Sequence, residues 1–121
     1  NTLFLMAQYI YNVKKNPISL NDWYSSSHWT KRNKQKKEWK SLFEEVISNN
    51  KPLKMSQYRI ELHVNSRHDP SNTITVIKLF EDTLKELGCI VDDSPKYCKS
   101  ITIKPDESLK KPSFKIVLES I

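Results

Sequence analysis

A single glycine, Gly88, stands in a chain of 121 residues. Almost nowhere, then, does this backbone rely on a freely accessible positive φ. There are two cysteines, Cys89 and Cys98. They form no CxxC and no zinc spacing, and so small a number argues against a disulfide framework and for a reducing interior. No stretch approaches the roughly 20 apolar residues that span a bilayer. The apolar stretch Leu3–Ala7 is short, lacks a basic flank and soon gives way to polar residues, which argues against a secretory signal. The expectation is a cytosolic chain. Internal repeats and low-complexity linkers are also lacking, so residues 1–121 read as one domain.

Charge is abundant. Lys and Arg number 20 against 14 Asp and Glu, a net charge of +6, while hydrophobic residues make up only 37%. An excess of that size points toward an anionic partner without naming it.

Residues Leu3–Val13 are aromatic and β-branched enough for a strand, which Asn16-Pro17 breaks. Ser19–Trp29 reads as a polar, aromatic loop. The spacing predicts a helix over Lys31–Ser48, where Trp39, Leu42, Phe43, Val46 and Ile47 form one apolar stripe. Lys34 and Lys37 fall on its other face. Tyr58–Val64 alternates cleanly, with Tyr58, Ile60, Leu62 and Val64 on one face and Arg59, Glu61 and His63 on the other.

After Asp69, Ser71 or Asn72 is placed to cap a second helix. Its stripe is Ile77, Phe80, Leu84 and Leu87, with Val76 at the edge and Gly88 at the position after its end. Tyr97–Ile103 and Phe114–Leu118 read as strands joined by a Pro- and Lys-rich hairpin. The order is strand, helix, strand, helix, strand, strand. That is an α/β or α+β fold with two main helices on a mixed four-stranded sheet.

Acidic residues flank the second helix in this basic chain: Asp69 before it, Asp92-Asp93 after it. Carboxylates supply hard oxygen ligands for Mg²⁺, and a positive surface holds a polyanion. Each piece also has a plain reading. Asp69-Pro70-Ser71-Asn72 is a turn with a cap, Asp92-Asp93-Ser94-Pro95 a solvated turn, and Glu61 an ordinary outward strand residue. Lys78 pairs with Asp82 four residues on, a contact worth about 0.2–0.5 kcal/mol. The cationic run Lys31, Arg32, Lys34, Lys36, Lys37 and Lys40 is either a solvated face or, beside the aromatic loop, a surface for phosphates and unstacked bases.

Taken together, Asp69-Pro70-Ser71-Asn72, Lys78, Asp82, Leu84, Gly88 and Asp92-Asp93 resemble the RusA-type Holliday junction resolvases, common in phages and prophages. The strand Arg59–His63 looks similar too, and Ser19-Leu20-Asn21 with Tyr24 and Trp29 does so more loosely. The resemblance covers roughly residues 17–118. It implies a homodimeric, Mg²⁺-dependent endonuclease that nicks a four-way DNA junction symmetrically in the cytoplasm of a bacterial host. It implies no small-molecule cofactor and no membrane.

Carried over, Asp69 and Asp93 are metal-binding carboxylates supported by Asp92. Asn72 orients the site, and Lys78 stabilises charge on the phosphate. Lys31, Arg32, Lys34, Lys36, Lys37, Arg67 and His68 are candidates for nucleic-acid contact. The departure is Ser71, where the family has a second aspartate. Three readings stay open: Glu61 replaces that carboxylate, the enzyme is slow or prefers Mn²⁺, or the protein binds branched DNA without cutting it.

Overall fold

The computed structural model describes residues 7–19, 23, 29–66 and 69–121, with backbone alone at 29. Five sequence expectations fall outside the described residues: the start of the first strand at 3–6, residues 20–22 and 24–28 of the aromatic loop, the Trp29 side chain, Arg67 and His68.

The elements follow the predicted order: β1 (Gln8–Val13), α1 (Trp29–Asn49), β2 (Tyr58–Val64), a 3-10 turn (Pro70–Thr73), α2 (Ile74–Glu86), β3 (Cys98–Pro105) and β4 (Phe114–Ser120). The fold is α+β, with a four-stranded mixed sheet in the order β1-β4-β2-β3. β4 runs antiparallel to both of its neighbours, in register Tyr11↔Ile116 and Ile60↔Leu118. β3 lies parallel to β2, with Ile60↔Ile101.

Strand alternation decides what faces the helices. Tyr58, Ile60 and Leu62 are fully buried, as are Ile116 and Leu118 opposite them. Onto this face α1 lays Trp39, Phe43 and Ile47, and α2 lays Val76, Ile77, Phe80 and Leu84. The stripes recur every three or four residues because that spacing returns a side chain to one side of a helix. Phe80 is central: its ring lies 5.3 Å from Tyr11 and 5.2 Å from Phe43, the latter edge-on. Such tilted and edge-to-face pairs add to the area they bury.

Two sequence expectations are corrected. β3 and β4 do not form a hairpin, since β2 lies between them. Residues 106–113 instead pass the end of β2, where the Asp106 amide donates to the Val64 carbonyl at 2.8 Å and Asn65 Nδ2 to the Leu109 carbonyl at 2.7 Å. The burial of the two strands explains the arrangement. β4 buries Phe114, Ile116, Val117 and Leu118 and takes an interior place in the sheet, whereas β3 is mostly exposed and takes an edge.

The second correction concerns the cap. Neither Ser71 nor Asn72 caps α2, because the 3-10 turn intervenes and the helix starts at Ile74. The Asp69 carbonyl accepts from the Asn72 amide at 2.9 Å, and the Thr73 hydroxyl donates to the Pro70 carbonyl at 2.6 Å. Asp-Pro at the head of the segment favours a tight turn over a capped helix start.

Candidate functional site

Gly88 builds the site. Its φ is +74°, and the amides on either side of this reversal close onto the last turn of α2. Gly88 N donates to Lys85 O at 3.1 Å and Cys89 N to Leu84 O at 2.9 Å. These bonds satisfy carbonyls that a helix end leaves open, and the left-handed glycine turns the chain back. Cys89 and Ile90 then bury beside Met55, whose amide donates to Cys89 O at 2.9 Å. The following residues, Asp92 and Asp93, therefore run back along α2 instead of away from it.

Read as one straight helix, the segment between Asp69 and Asp93 would hold the two aspartates a full helix length apart. The reversal removes that obstacle for Asp93. Its carboxylate pairs with Lys78 Nζ, and Asp82 reaches the same ammonium at 3.2 Å. Asp92 pairs with Lys85 at 3.4 Å. Lys78 lies only five residues past Thr73, about 8 Å of helical rise. One helix face thus carries Lys78, Asp82 and Lys85 against the returning Asp92-Asp93.

These contacts set the protonation states. The Lys78 ammonium holds the Asp93 carboxyl below the usual aspartate range. Asp93, with Asp82, raises Lys78 in return. At neutral pH Lys78 and Asp93 are therefore an ion pair, and Lys78 acts as a cation and not as a base.

Beneath it lies a residue that the sequence reading missed. Glu81 is 4% exposed and accepts a hydrogen bond from the buried Tyr58 hydroxyl. Burial pushes its carboxyl up, and the Asp93 charge adds to the rise. Tyr58 is pushed up as well, by burial first and Glu81 second. The charged spacing Lys78, Glu81, Asp82, Lys85 was the available signal, because residues three and four apart share a helix face.

The sign of the Glu81 shift gives a prediction. A carboxyl raised in the folded state favours folding below its unfolded pKa, about 4.3, and loses that contribution as pH rises through the folded value. Glu81→Gln keeps an acceptor for Tyr58 and removes the buried charge. The variant is expected to melt above the wild type near pH 8, with the gap closing below about pH 4.3. Melting curves at several pH values check this, and a gap independent of pH would reject it.

The remaining expected residues are placed as follows. Asp69, just before the 3-10 turn, and Ser71 within it are exposed, and Asn72 is half-buried. Among the described residues no three or more His, Cys, Asp or Glu gather as metal ligands, so Asp69 does not join Asp92 and Asp93 in one group. Glu61 cannot stand in for a missing carboxylate. Strand alternation sends it to the sheet face opposite α2, where it pairs with Lys104 at 3.0 Å and meets His63 at 3.3 Å. Lys31, Lys34, Lys36 and Lys37 are exposed along α1. Arg32 is half-buried, and its Nε has no hydrogen-bond partner among the described residues. Of this run Lys36 comes to the site: it lines a groove between the helices with Lys78 and Asp82.

The donor set suits Mg²⁺ in a limited way. That ion usually keeps several waters and takes one or two carboxylates, completing its shell with substrate phosphates. Asp82 and Asp93 converge on one point, now held by the Lys78 ammonium, and offer such a pair. Among the described residues no helix is long and apolar enough to cross a membrane.

No protein-family model matches the chain, and no curated protein matches it. Among solved structures, the crystal structure of hydrogenase maturation protein HypE is similar at a TM-score of 0.36 and 10% identity, over 98% of this chain and 32% of that one. The chain thus spans about a third of that protein's length, and a likeness this weak fixes neither family nor function.

Proposed function

We propose that this chain is a RusA-type, Mg²⁺-dependent endonuclease that resolves Holliday or other branched DNA junctions by paired phosphodiester hydrolysis. The observation that supports it most is the return of Asp93 onto α2, where Asp93 and Asp82 converge on Lys78 beside a lysine-bearing helix. Asp93 and Asp82 would hold the ion, while Asp92, paired with Lys85, stands outside that pair. Asp69, Ser71 and Asn72 lie at the turn that leads into α2, and Asp69 is not grouped with those carboxylates. When bound, the ion polarises a phosphoryl oxygen and lowers the pKa of a bound water.

The chain's own groups do the rest. Lys78, 58% exposed on a flexible stem, is free to swing from the carboxylates to a phosphate oxygen and offset the charge that develops there. Lys36 and the exposed lysines of α1 hold the flanking backbone, a contribution that weakens with salt. Paired symmetric nicks need two sites, so the active form in this reading is a homodimer.

A second reading is a RusA-fold protein that holds branched DNA without cutting it. Two observations favour it: Ser71 brings no charge, and Lys78 fills the space between the two carboxylates with the protein's own cation. The discriminating experiment offers a synthetic four-way junction, beside a matched linear duplex, with Mg²⁺ or Mn²⁺. Paired nicks in the junction alone support the enzyme. Tight junction binding with no nick in either metal supports the second reading, and absence of binding rejects both. Ser71→Asp, which restores the family's carboxylate on the exposed turn, is expected to raise Mg²⁺-supported cleavage several-fold. Unchanged or lower activity would show that the turn contributes no ligand.

A further inference from the structure

A groove of about 460 Å³ opens between α1 and α2 next to the Lys78–Asp93 pair. Ile74 and Leu79 give it an apolar lining, and Trp23 adds an indole. Thr75 lines it as well; that residue is 8% exposed, and its Oγ1 has no hydrogen-bond partner among the described residues. A threonine within a helix ordinarily spends its hydroxyl on the carbonyl a turn earlier. Leaving a buried hydroxyl unpaired is costly, and a rotation about the Thr75 Cα–Cβ bond is the short route by which it would gain a partner in the groove. Lys36 from α1 and Lys78 from α2 bring positive charge to the same groove.

An aromatic wall, an apolar lining and the two ammonium groups of Lys36 and Lys78, which outweigh the Asp82 carboxylate in the same lining, match a flat heteroaromatic ring attached to phosphates. We infer that the groove receives one unpaired nucleobase of a branched DNA, stacked on Trp23 and, once the Thr75 side chain rotates its buried hydroxyl outward, hydrogen-bonded to it, while Lys36 and Lys78 hold its flanking phosphates. This rests on the reading of nucleic acid as the ligand and adds to it a source of structure selectivity. A base inside a duplex is closed in by its partner and its stacking neighbours. One at a branch point leaves the stack at lower cost, so the groove selects branches without reading base identity. The Thr75 hydroxyl both donates and accepts, which also tolerates any base edge.

The test measures binding alone, in EDTA, so that it does not depend on cleavage. Dissociation constants are compared for a synthetic four-way junction, the same junction with abasic sites at the crossover, and a linear duplex. The intact junction is expected to bind about tenfold more tightly than the abasic one. Thr75→Val, nearly the same shape without the hydroxyl, should shrink that ratio. A 2-aminopurine at the crossover should be quenched on binding the wild type and much less on binding Trp23→Leu. If the wild type prefers junction to duplex yet binds intact and abasic junctions equally, the base site is overturned while the broader reading stands. Loss of the junction preference itself overturns both. An unchanged ratio in a folded Thr75→Val protein removes the hydroxyl from the proposal.

Discussion

Asp93→Asn should lower junction cleavage by about 100-fold or more while leaving junction binding intact or tighter. The asparagine keeps the shape of the side chain and removes the charge that would hold a cation and that now holds Lys78. Cleavage depends on that charge, whereas binding depends on the lysines around it. Removing a carboxylate from a surface that meets phosphates takes away repulsion. The fold should survive, because Lys78 is well exposed and ion pairs of that kind contribute about 0–1 kcal/mol. The decisive comparison is single-turnover cleavage beside an affinity measurement on the same junction. Equal cleavage by mutant and wild type would remove Asp93 from the site.

Phe80→Ala is expected to cost about 3–5 kcal/mol, a large part of the 5–15 kcal/mol that folds a typical domain. Phe80 is fully buried where the two helices and the sheet meet, between Tyr11 of β1 and Phe43 of α1. Those neighbours come from separate elements, each held by its own backbone hydrogen bonds, so they cannot close fully over the space a missing ring leaves. Urea denaturation of the mutant and of Phe80→Leu would check the figure. A loss under about 1 kcal/mol for the alanine would mean that the core relaxes around the gap.

Residues whose pattern repeats within one element were readable in the sequence. Tyr58–Val64 alternates, and it is a strand with those very faces. Trp39, Phe43 and Ile47 recur at helical spacing and are buried on α1. Gly88 is the lone glycine, and it occupies the left-handed turn that ends α2. Features that depend on how elements meet were not readable. The place of β4 between β1 and β2 is set by burial on the assembled sheet, and no local spacing encodes it. The candidate site divides in the same way. Lys78 and Asp93 stood out as residues, but their contact depends on a chain reversal whose direction only the packing of Cys89 and Ile90 fixes. Glu81 was hidden because an acid in an amphipathic helix ordinarily faces water. The groove joining Lys36 to Lys78 exists only once two helices are side by side.

The order of strands has a consequence for how the molecule comes to be. Among the described strands β1 has a single neighbour, β4, and their pairing joins residues about a hundred positions apart. Until residues 114–120 arrive, β1 has no strand to pair with, and β2 holds only its bond to β3. An assembling chain therefore carries an open slot in the middle of its sheet, with the facing edges of β1 and β2 unpaired. Contact order makes the closing of that slot an expectedly slow step, and until it closes the unpaired edges are open to pairing with another molecule.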